Sequence, residues 1–146
     1  MTKKPHTSFH ELAEIEWLVQ RFDACTLPCD EWTHAAHLTV GLWKTREFPP
    51  GEALDRVRAG IVRYNANCVA TNSIGYHETI TRFYMWLIGK YLAGVVDCSD
   101  WVMVTNNLVE HAKIDANLPY RYYSRVVLLS DAARTGWVPP DLRALE

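Results

Sequence analysis

Residues 75–91 read Gly-Tyr-His-Glu-Thr-Ile-Thr-Arg-Phe-Tyr-Met-Trp-Leu-Ile-Gly-Lys-Tyr, and the fold class follows from this stretch. Its apolar positions recur at intervals of three and four residues, which is the spacing of one helix face and not the alternation of a strand. The positions on that face are Tyr76, Ile80, Phe83, Leu87 and Tyr91. The stretch therefore predicts a long amphipathic helix that starts beside His77 and Glu78.

The same spacing predicts helices along most of the remaining chain. We expect further helices to begin near Ser8, near residues 29–33 and at Pro50, because proline is common in the first turn of a helix. Two more are expected in the C-terminal third, the last over about residues 122–134. No internal repeat, low-complexity tract or alternating strand pattern is found.

We therefore predict an all-α fold, a compact single-domain bundle of about six helices over residues 8–146. Uneven helix and linker lengths argue against a simple up-down four-helix bundle. Residues 1–7 are expected to form a disordered leader.

Composition and charge exclude several classes of protein. The chain has 146 residues, 49% of them hydrophobic, and is long enough to bury a core. The net charge is −2 and the fifteen Lys and Arg are scattered, so no nucleic-acid partner is expected. No apolar run approaches the roughly 20 residues that span a bilayer, so no membrane partner is expected. Glycine-rich phosphate loops, dinucleotide fingerprints and nucleophile elbows are missing, which excludes most nucleotide-dependent and serine-hydrolase chemistry.

The four cysteines, Cys25, Cys29, Cys68 and Cys98, form no C-x-x-C pair. The start of the chain also lacks the apolar region of a secretory signal. We therefore expect free thiols and a cytoplasmic location, where thiols stay reduced.

A histidine stripe is predicted at the start of the second helix, where residues 32–37 read Trp-Thr-His-Ala-Ala-His. On a helix, His34 and His37 project from one face about 4.5 Å apart along the axis, so they can share a ligand, a metal or a proton. Asp30 and Gly41 extend the stripe at helical spacing. Glycine inside a helix costs about 1 kcal/mol relative to alanine, so either a ligand or another helix is expected to approach there.

His77 and Glu78 provide a second imidazole and a carboxylate at a predicted helix start. The helix dipole disfavours a cation there, so His77 should stay neutral and be available as a base or a ligand. Glu78 is expected either to orient an imidazole or to act as an acid. The alternative for Glu78 is an ordinary first-turn glutamate paired with Arg82.

Other candidates lie outside the histidine motifs. Tyr123 and Arg125 stand in a stretch rich in phenols and guanidiniums, which is typical of a pocket lip that binds an anionic or polar group. Trp43 stands near the histidine stripe at helical distance and is a candidate pocket wall. The alternative for each of these residues is ordinary core packing or an exposed charge.

The leading hypothesis is a small acid–base enzyme, a lyase or cyclodehydratase that acts on a small polar metabolite. In it His37, His77 and Glu78 are catalytic and no cofactor is required. The substrate-binding residues are His34, Asp30, Trp43, Tyr123 and Arg125. A homodimer is one of the expected assemblies.

Two further hypotheses use the same residues differently. In the first, His34, His37 and His77 bind one divalent ion of zinc, iron or manganese, and the protein is a hydrolase or an oxygenase. In the second, the histidines are structural and the protein is a helical interaction module without enzymatic activity.

The motifs W-T-H-x-x-H and G-Y-H-E-T are followed by Tyr122-Tyr123-Ser124 and Pro140-Asp141-Leu142. This combination resembles a group of small bacterial all-α proteins of uncharacterised function, over most of the chain from about residue 20. The resemblance carries no reaction with it. What it implies is a shared site.

Overall fold

The computed structural model of this protein describes residues 8–68, 75–114 and 117–146, without the side chains of Lys113 and Ile114. Those ranges contain five long helices, two short ones and no β-strand. The helices are α1 (Leu12–Asp23), α2 (His34–Glu47), α3 (Pro50–Ala66), α4 (Glu78–Ala93), α5 (Trp101–Ile114), α6 (Arg125–Leu128) and α7 (Asp131–Thr135). The all-α prediction is confirmed.

Two 3₁₀ turns, Cys29–Glu31 and Leu118–Arg121, connect the helices. None of the helices in the described ranges is both long and apolar enough to cross a membrane. The leader predicted at residues 1–7 lies outside the described residues, and the division of the chain into one domain stays a prediction.

Helix α2 is central, because residues 38–44, which make nearly two helical turns, are all buried. It contacts α1, α3, α4 and α5. Leu38, Val40 and Leu42 point in different directions, yet all three are buried, as expected for a helix that other helices surround. Its buried cation, Lys44, donates to a carboxylate oxygen of Asp23 at 2.8 Å and so has a partner of opposite charge.

Helix α2 begins at His34, later than the sequence predicted. The Thr33 side chain accepts a hydrogen bond from the Ala36 N–H at 3.2 Å and caps the helix. The preceding segment forms the separate 3₁₀ turn, so Asp30 lies on another element and is exposed. The prediction that Asp30 shares a helix face with His34 and His37 is therefore wrong.

Helix α4 is buried on more than one side. It contacts α2 and α3 on one side and α7 on another. Phe83 is fully buried in a C-terminal aromatic cluster with Tyr123 and Leu128, whereas Ile88 is buried against residues of α2 and α5. The predicted apolar face included Phe83 but not Ile88, so it covers only part of the buried surface.

The predicted helix over residues 122–134 is two short helices instead. Ser124 and Ser130 each accept a backbone N–H of the following turn, from Val127 at 3.3 Å and from Ala133 at 3.2 Å. Serine favours such N-cap positions because its hydroxyl replaces the missing backbone acceptor. The cap at Ser130 therefore marks the end of α6 and the start of α7.

Cys29 and Cys68 form a disulfide that joins the turn before α2 to the end of α3. Cys25 and Cys98 are free. The prediction of free thiols is thus wrong for the bonded pair, because α3 packs beside a turn that lies 39 residues away in sequence. Disulfides persist mainly in oxidising compartments. The cysteines therefore no longer support a cytoplasmic location, which stays a prediction.

Candidate functional site

A cavity of about 290 Å³ lies between α2, α3 and α4. Its polar lining residues are His34, His37, Thr81 and Tyr84. The apolar ones are Leu38, Val57, Ile61, Ile80, Met85 and Ile88, and Gly41 completes the wall on α2. The predicted stripe of His34, His37 and Gly41 therefore faces a cavity, and the opposite wall comes from α4.

His37 has one occupied ring nitrogen and one open ring nitrogen. Its Nδ1 lies 2.7 Å from the carbonyl oxygen of Thr33. A carbonyl only accepts, so Nδ1 carries the proton and Nε2 carries a lone pair. Nε2 has no hydrogen-bond partner in residues 8–68, 75–112 and 117–146. The neutral imidazole of His37, which lines the cavity, thus has a free acceptor.

Aromatic stacking fixes the plane of the His37 ring. The Trp32 ring stacks on it with 3.7 Å between centroids. The Phe22 ring in turn stacks on Trp32 with 4.5 Å between centroids, and the Tyr64 centroid lies 5.3 Å from that of Trp32. Phe22 and Tyr64 are fully buried, so the stack is anchored in the core. The imidazole is therefore oriented before any ligand enters.

Burial keeps His37 uncharged. Removal of the ring from water lowers the pKa of His37 from 6.5 to about 4, against the opposing effect of the hydrogen bond to Thr33. The neighbouring His34 lowers the pKa further by repulsion between the two rings when charged. His37 is consequently neutral at physiological pH and able to accept a proton or a hydrogen bond.

His34 lies where the cavity meets solvent, since it lines the cavity and is also exposed. Its ring packs edge-on against Tyr84 with 4.9 Å between centroids. Partial burial of the ring lowers the pKa of His34 from its usual value. A second neutral imidazole therefore stands near the opening.

Gly41 allows α4 to approach α2 beside the cavity. A Cβ atom at Gly41 would lie 2.7 Å from Cδ1 of Ile88 and 3.3 Å from Sδ of Met85. Of the two predicted reasons for this glycine, close approach of another helix is thus the one observed.

His77 has a structural position, in contrast to its predicted catalytic role. Its Nδ1 accepts the Ile80 N–H at 3.1 Å and caps α4. Its Nε2 lies 2.8 Å from the carbonyl oxygen of Leu128 and must therefore carry the proton. Burial lowers the pKa of His77, in agreement with the predicted neutral state. Both ring nitrogens are occupied, and the ring does not line the cavity.

Glu78 is the centre of an ion pair between α3 and α4. Arg58 donates to both carboxylate oxygens, through Nε at 2.8 Å and through Nη2 at 2.6 Å. The Tyr76 hydroxyl donates to Oε1 at 2.6 Å, while Arg82 is 4.0 Å away. The bonds from Arg58 hold the pKa of Glu78 below its usual value. A carboxylate held ionised in this way is unsuited to the predicted acid role, and Glu78 does not line the cavity.

Trp43 is part of the core and not of the cavity wall. It is 8% exposed and packs within the cluster that holds Phe22 and Val40. The guanidinium of Arg46 lies over its ring at 4.4 Å. Its predicted substrate-binding role is not supported by this position, and the same holds for the exposed Asp30.

Tyr123 and Arg125 lie in the C-terminal segment and are not among the residues that line the cavity. Tyr123 is fully buried and its hydroxyl donates to the carbonyl oxygen of Val138 at 2.6 Å. Arg125 is exposed and stacks on Tyr120. The predicted pocket lip is therefore a packed core with a surface charge, because α7 packs on α4 and Tyr123 is buried in the same cluster as Phe83.

The predicted three-histidine metal site is not formed. Within the described ranges, no group of three or more His, Cys, Asp or Glu side chains could hold a metal ion. Nε2 of His77 is bonded to a backbone carbonyl, so this residue cannot join His34 and His37 as a ligand. Binding of a zinc, iron or manganese ion stays a prediction, and the described residues form no set of ligands for it.

Sequence reasoning missed the wall on α4 and the group that orients His37. Thr81, Tyr84 and Ile88 follow one another at helical spacing, which is a detectable signal. That signal is hidden because the surrounding residues of α4 are apolar on other faces too. The role of the Thr33 carbonyl follows from the helix start, four residues before His37.

No family model, no curated protein and no solved structure matches this chain. The resemblance of its motifs to small bacterial all-α proteins therefore stays a prediction. Any functional conclusion depends on the cavity and on the imidazole of His37.

Proposed function

We propose that this protein is a small acid–base enzyme, a lyase of the dehydratase type, whose substrate occupies the cavity between α2, α3 and α4. His37 exchanges protons with the substrate, and His34 positions a polar group near the opening. This keeps the leading hypothesis from the sequence. In this proposal the catalytic histidine belongs to the motif at residues 32–37. His77 and Glu78 hold α4 in place and have no catalytic role.

The single observation that carries the proposal is the open Nε2 of a fixed, neutral imidazole at a cavity. A ring nitrogen that is buried in the protein interior needs a partner, and both nitrogens of His77 have one. Within the part of the chain that the structure describes, His37 has a partner only at Nδ1. The arrangement of a carbonyl behind one nitrogen and an open second nitrogen is the one used by histidine bases.

A dehydration needs one group that takes a proton and returns it. Nε2 of His37 takes a proton from a carbon next to the one that bears the hydroxyl, and the electron pair of that C–H bond forms the C=C bond. The C–O bond breaks, the leaving oxygen takes the proton from Nε2, and water departs. His37 ends neutral. Because the pKa of His37 is about 4, its protonated form is a strong acid for an imidazolium, which favours the second transfer.

The test is a substrate screen with mass-spectrometric detection of the loss of one water. Uncharged hydroxy-carbonyl compounds of cavity size are incubated with the wild-type protein and with His37→Phe, which keeps a flat ring on Trp32 but removes the nitrogens. His111→Phe makes the same change on the exposed surface of α5 and is the control. Turnover by wild type and His111→Phe but not by His37→Phe supports the proposal. Unchanged turnover by His37→Phe contradicts it.

A second candidate function is the binding of a small molecule without chemistry. It is favoured by the same low pKa, since an imidazole with a pKa of about 4 is a weak base. A molecule that binds in the cavity and is recovered unchanged, with no turnover of any hydroxy-carbonyl compound, favours this candidate over the enzyme.

A further inference from the structure

We infer that the molecule that fills this cavity is uncharged, with an apolar body and one O–H or N–H group that donates a hydrogen bond to Nε2 of His37. The inference rests on the proposed function, because it names the substrate class of the same site. It replaces the small polar metabolite expected from the sequence.

The direction of the hydrogen bond follows from the tautomer of His37. Nδ1 donates its proton to the Thr33 carbonyl, 2.7 Å away, and the neutral ring has no second proton. Nε2 can therefore only accept. A ketone, ether or carboxylate oxygen has no proton to donate, so at this point its lone pair would repel the lone pair of Nε2. The ligand group that hydrogen-bonds to Nε2 on binding must be a donor. In a dehydration substrate this group is the hydroxyl, whose carbon is next to the carbon that gives up its proton to Nε2.

The charge of the ligand follows from the lining. Among the described residues that line the cavity, none is Lys, Arg, Asp or Glu. The nearby carboxylate of Glu78 has both oxygens taken by Arg58, so it cannot serve a ligand cation. An ion without a partner in an apolar cavity carries a large desolvation cost. The part of the ligand inside the cavity is therefore neutral.

The size and shape of the body follow from the volume and the walls. At about 290 Å³ the cavity is roughly twice the ~150 Å³ of an apolar cavity that binds benzene. Val57, Ile61 and Ile88 provide aliphatic walls, and Tyr84 provides an aromatic one. Two fused rings, or an aliphatic body of similar size, fill this space.

The experiment measures binding of three probes to the full chain by titration calorimetry. They are 2-naphthol, which has the donor, naphthalene, which lacks it, and 2-naphthoate, which carries a charge. We expect 2-naphthol to bind one per chain and about tenfold more tightly than either of the others, since one hydrogen bond distinguishes it from naphthalene. His37→Phe should lower its affinity to that of naphthalene, and His111→Phe should leave it unchanged.

Two variants test whether the probes occupy the cavity. Ile61→Trp and Val57→Phe each add a ring into the cavity from α3, and circular dichroism shows which of them stay folded. A folded variant should lose binding of 2-naphthol and naphthalene alike. Retention of wild-type affinity for all probes in the folded filled variants means that they bind elsewhere, and it overturns the ligand class. The dehydration screen, repeated with the same filled variants, then decides the proposed function.

Other results distinguish the inferred ligand class from the proposed function of the cavity. Equal or tighter binding of naphthalene or 2-naphthoate, with loss in the filled variants, overturns the ligand class and leaves the proposed cavity site intact. Absence of binding of all three probes to the folded wild-type protein also overturns the ligand class. In that case the dehydration screen decides the proposed function by itself.

Discussion

His37 and His77 lie at the starts of two helices, yet their hydrogen bonds are opposite. His37 donates from Nδ1 to a carbonyl of its own first turn and leaves Nε2 open at a cavity. His77 accepts at Nδ1 from the Ile80 N–H and donates from Nε2 to the Leu128 carbonyl. The two rings are therefore opposite tautomers. A helix-start histidine is available for chemistry only if its second nitrogen has no partner.

The same contrast extends to what surrounds each ring. Trp32 stacks on His37 and restrains it without using a nitrogen. Leu128, in contrast, ties His77 to α6 through a bond that spans 51 residues of sequence. His37 is held by stacking and one hydrogen bond, whereas His77 is held by hydrogen bonds at both ring nitrogens. Substitution should consequently affect activity at the first and stability at the second.

The largest expected effect is on turnover. Once a substrate is identified, His37→Phe should lower kcat/KM by roughly 10²- to 10⁴-fold, the usual contribution of a positioned acid–base group. His77→Asn should leave turnover by the folded protein near the wild-type value, because His77 does not line the cavity. Steady-state kinetics at pH 7 check both. Equal losses of kcat/KM in the two variants would contradict the distinction between a catalytic His37 and a structural His77.

The disulfide restrains the turn just before Trp32, the residue that stacks on His37. Cys29 and Cys68 are 39 residues apart, and a loop of that size predicts that loss of the bond lowers the free energy of unfolding by about 4 kcal/mol. Urea unfolding of the double variant Cys29→Ser and Cys68→Ser measures this, with Cys98→Ser as the control. Thiol titration of the unfolded wild-type protein should find two free thiols. Four thiols would contradict the bond.

The pH dependence of stability separates His37 from a solvent-exposed histidine. The pKa of His37 is about 4 in the folded protein and near 6.5 when unfolded, so the unfolded state binds the proton first as the pH falls. The wild-type protein should lose about 3 kcal/mol of unfolding free energy between pH 6.5 and pH 4 that His37→Phe does not lose. Urea unfolding at a series of pH values measures the difference. Parallel profiles for the two proteins would show that His37 titrates normally.

The smallest expected effect concerns the cap of α4. His77→Ala removes a helix cap and the donor to Leu128, and should lower the free energy of unfolding by about 2 kcal/mol. His77→Asn should recover about half, because asparagine caps helices well but does not reach the carbonyl. Urea unfolding at pH 7 compares the three proteins. No loss in His77→Ala would mean that His77 is not structural.

The local parts of the site could be predicted from the sequence. Spacing placed His34, His37 and Gly41 on one face of a helix, and the structure puts all three in the wall of one cavity. The exception was Asp30, because the Thr33 cap starts the helix one turn later than the spacing suggested.

The long-range parts could not be predicted. Glu78 pairs chiefly with Arg58, which is 20 residues away, and not with Arg82 on its own helix. The bonds of Tyr123 to Val138 and of His77 to Leu128 likewise depend on how the C-terminal helices return to α4. Residue spacing carries no information on such contacts, so it cannot tell an available side chain from an occupied one.

The measurement that tests this account most directly is nitrogen NMR of the histidine rings at pH 7, with and without 2-naphthol. We predict that His37 is neutral and protonated at Nδ1, that His77 is neutral and protonated at Nε2, and that the probe shifts Nε2 of His37 only. A His37 ring that is charged or protonated at Nε2, or a probe-induced shift at Nε2 of His77, would contradict the account.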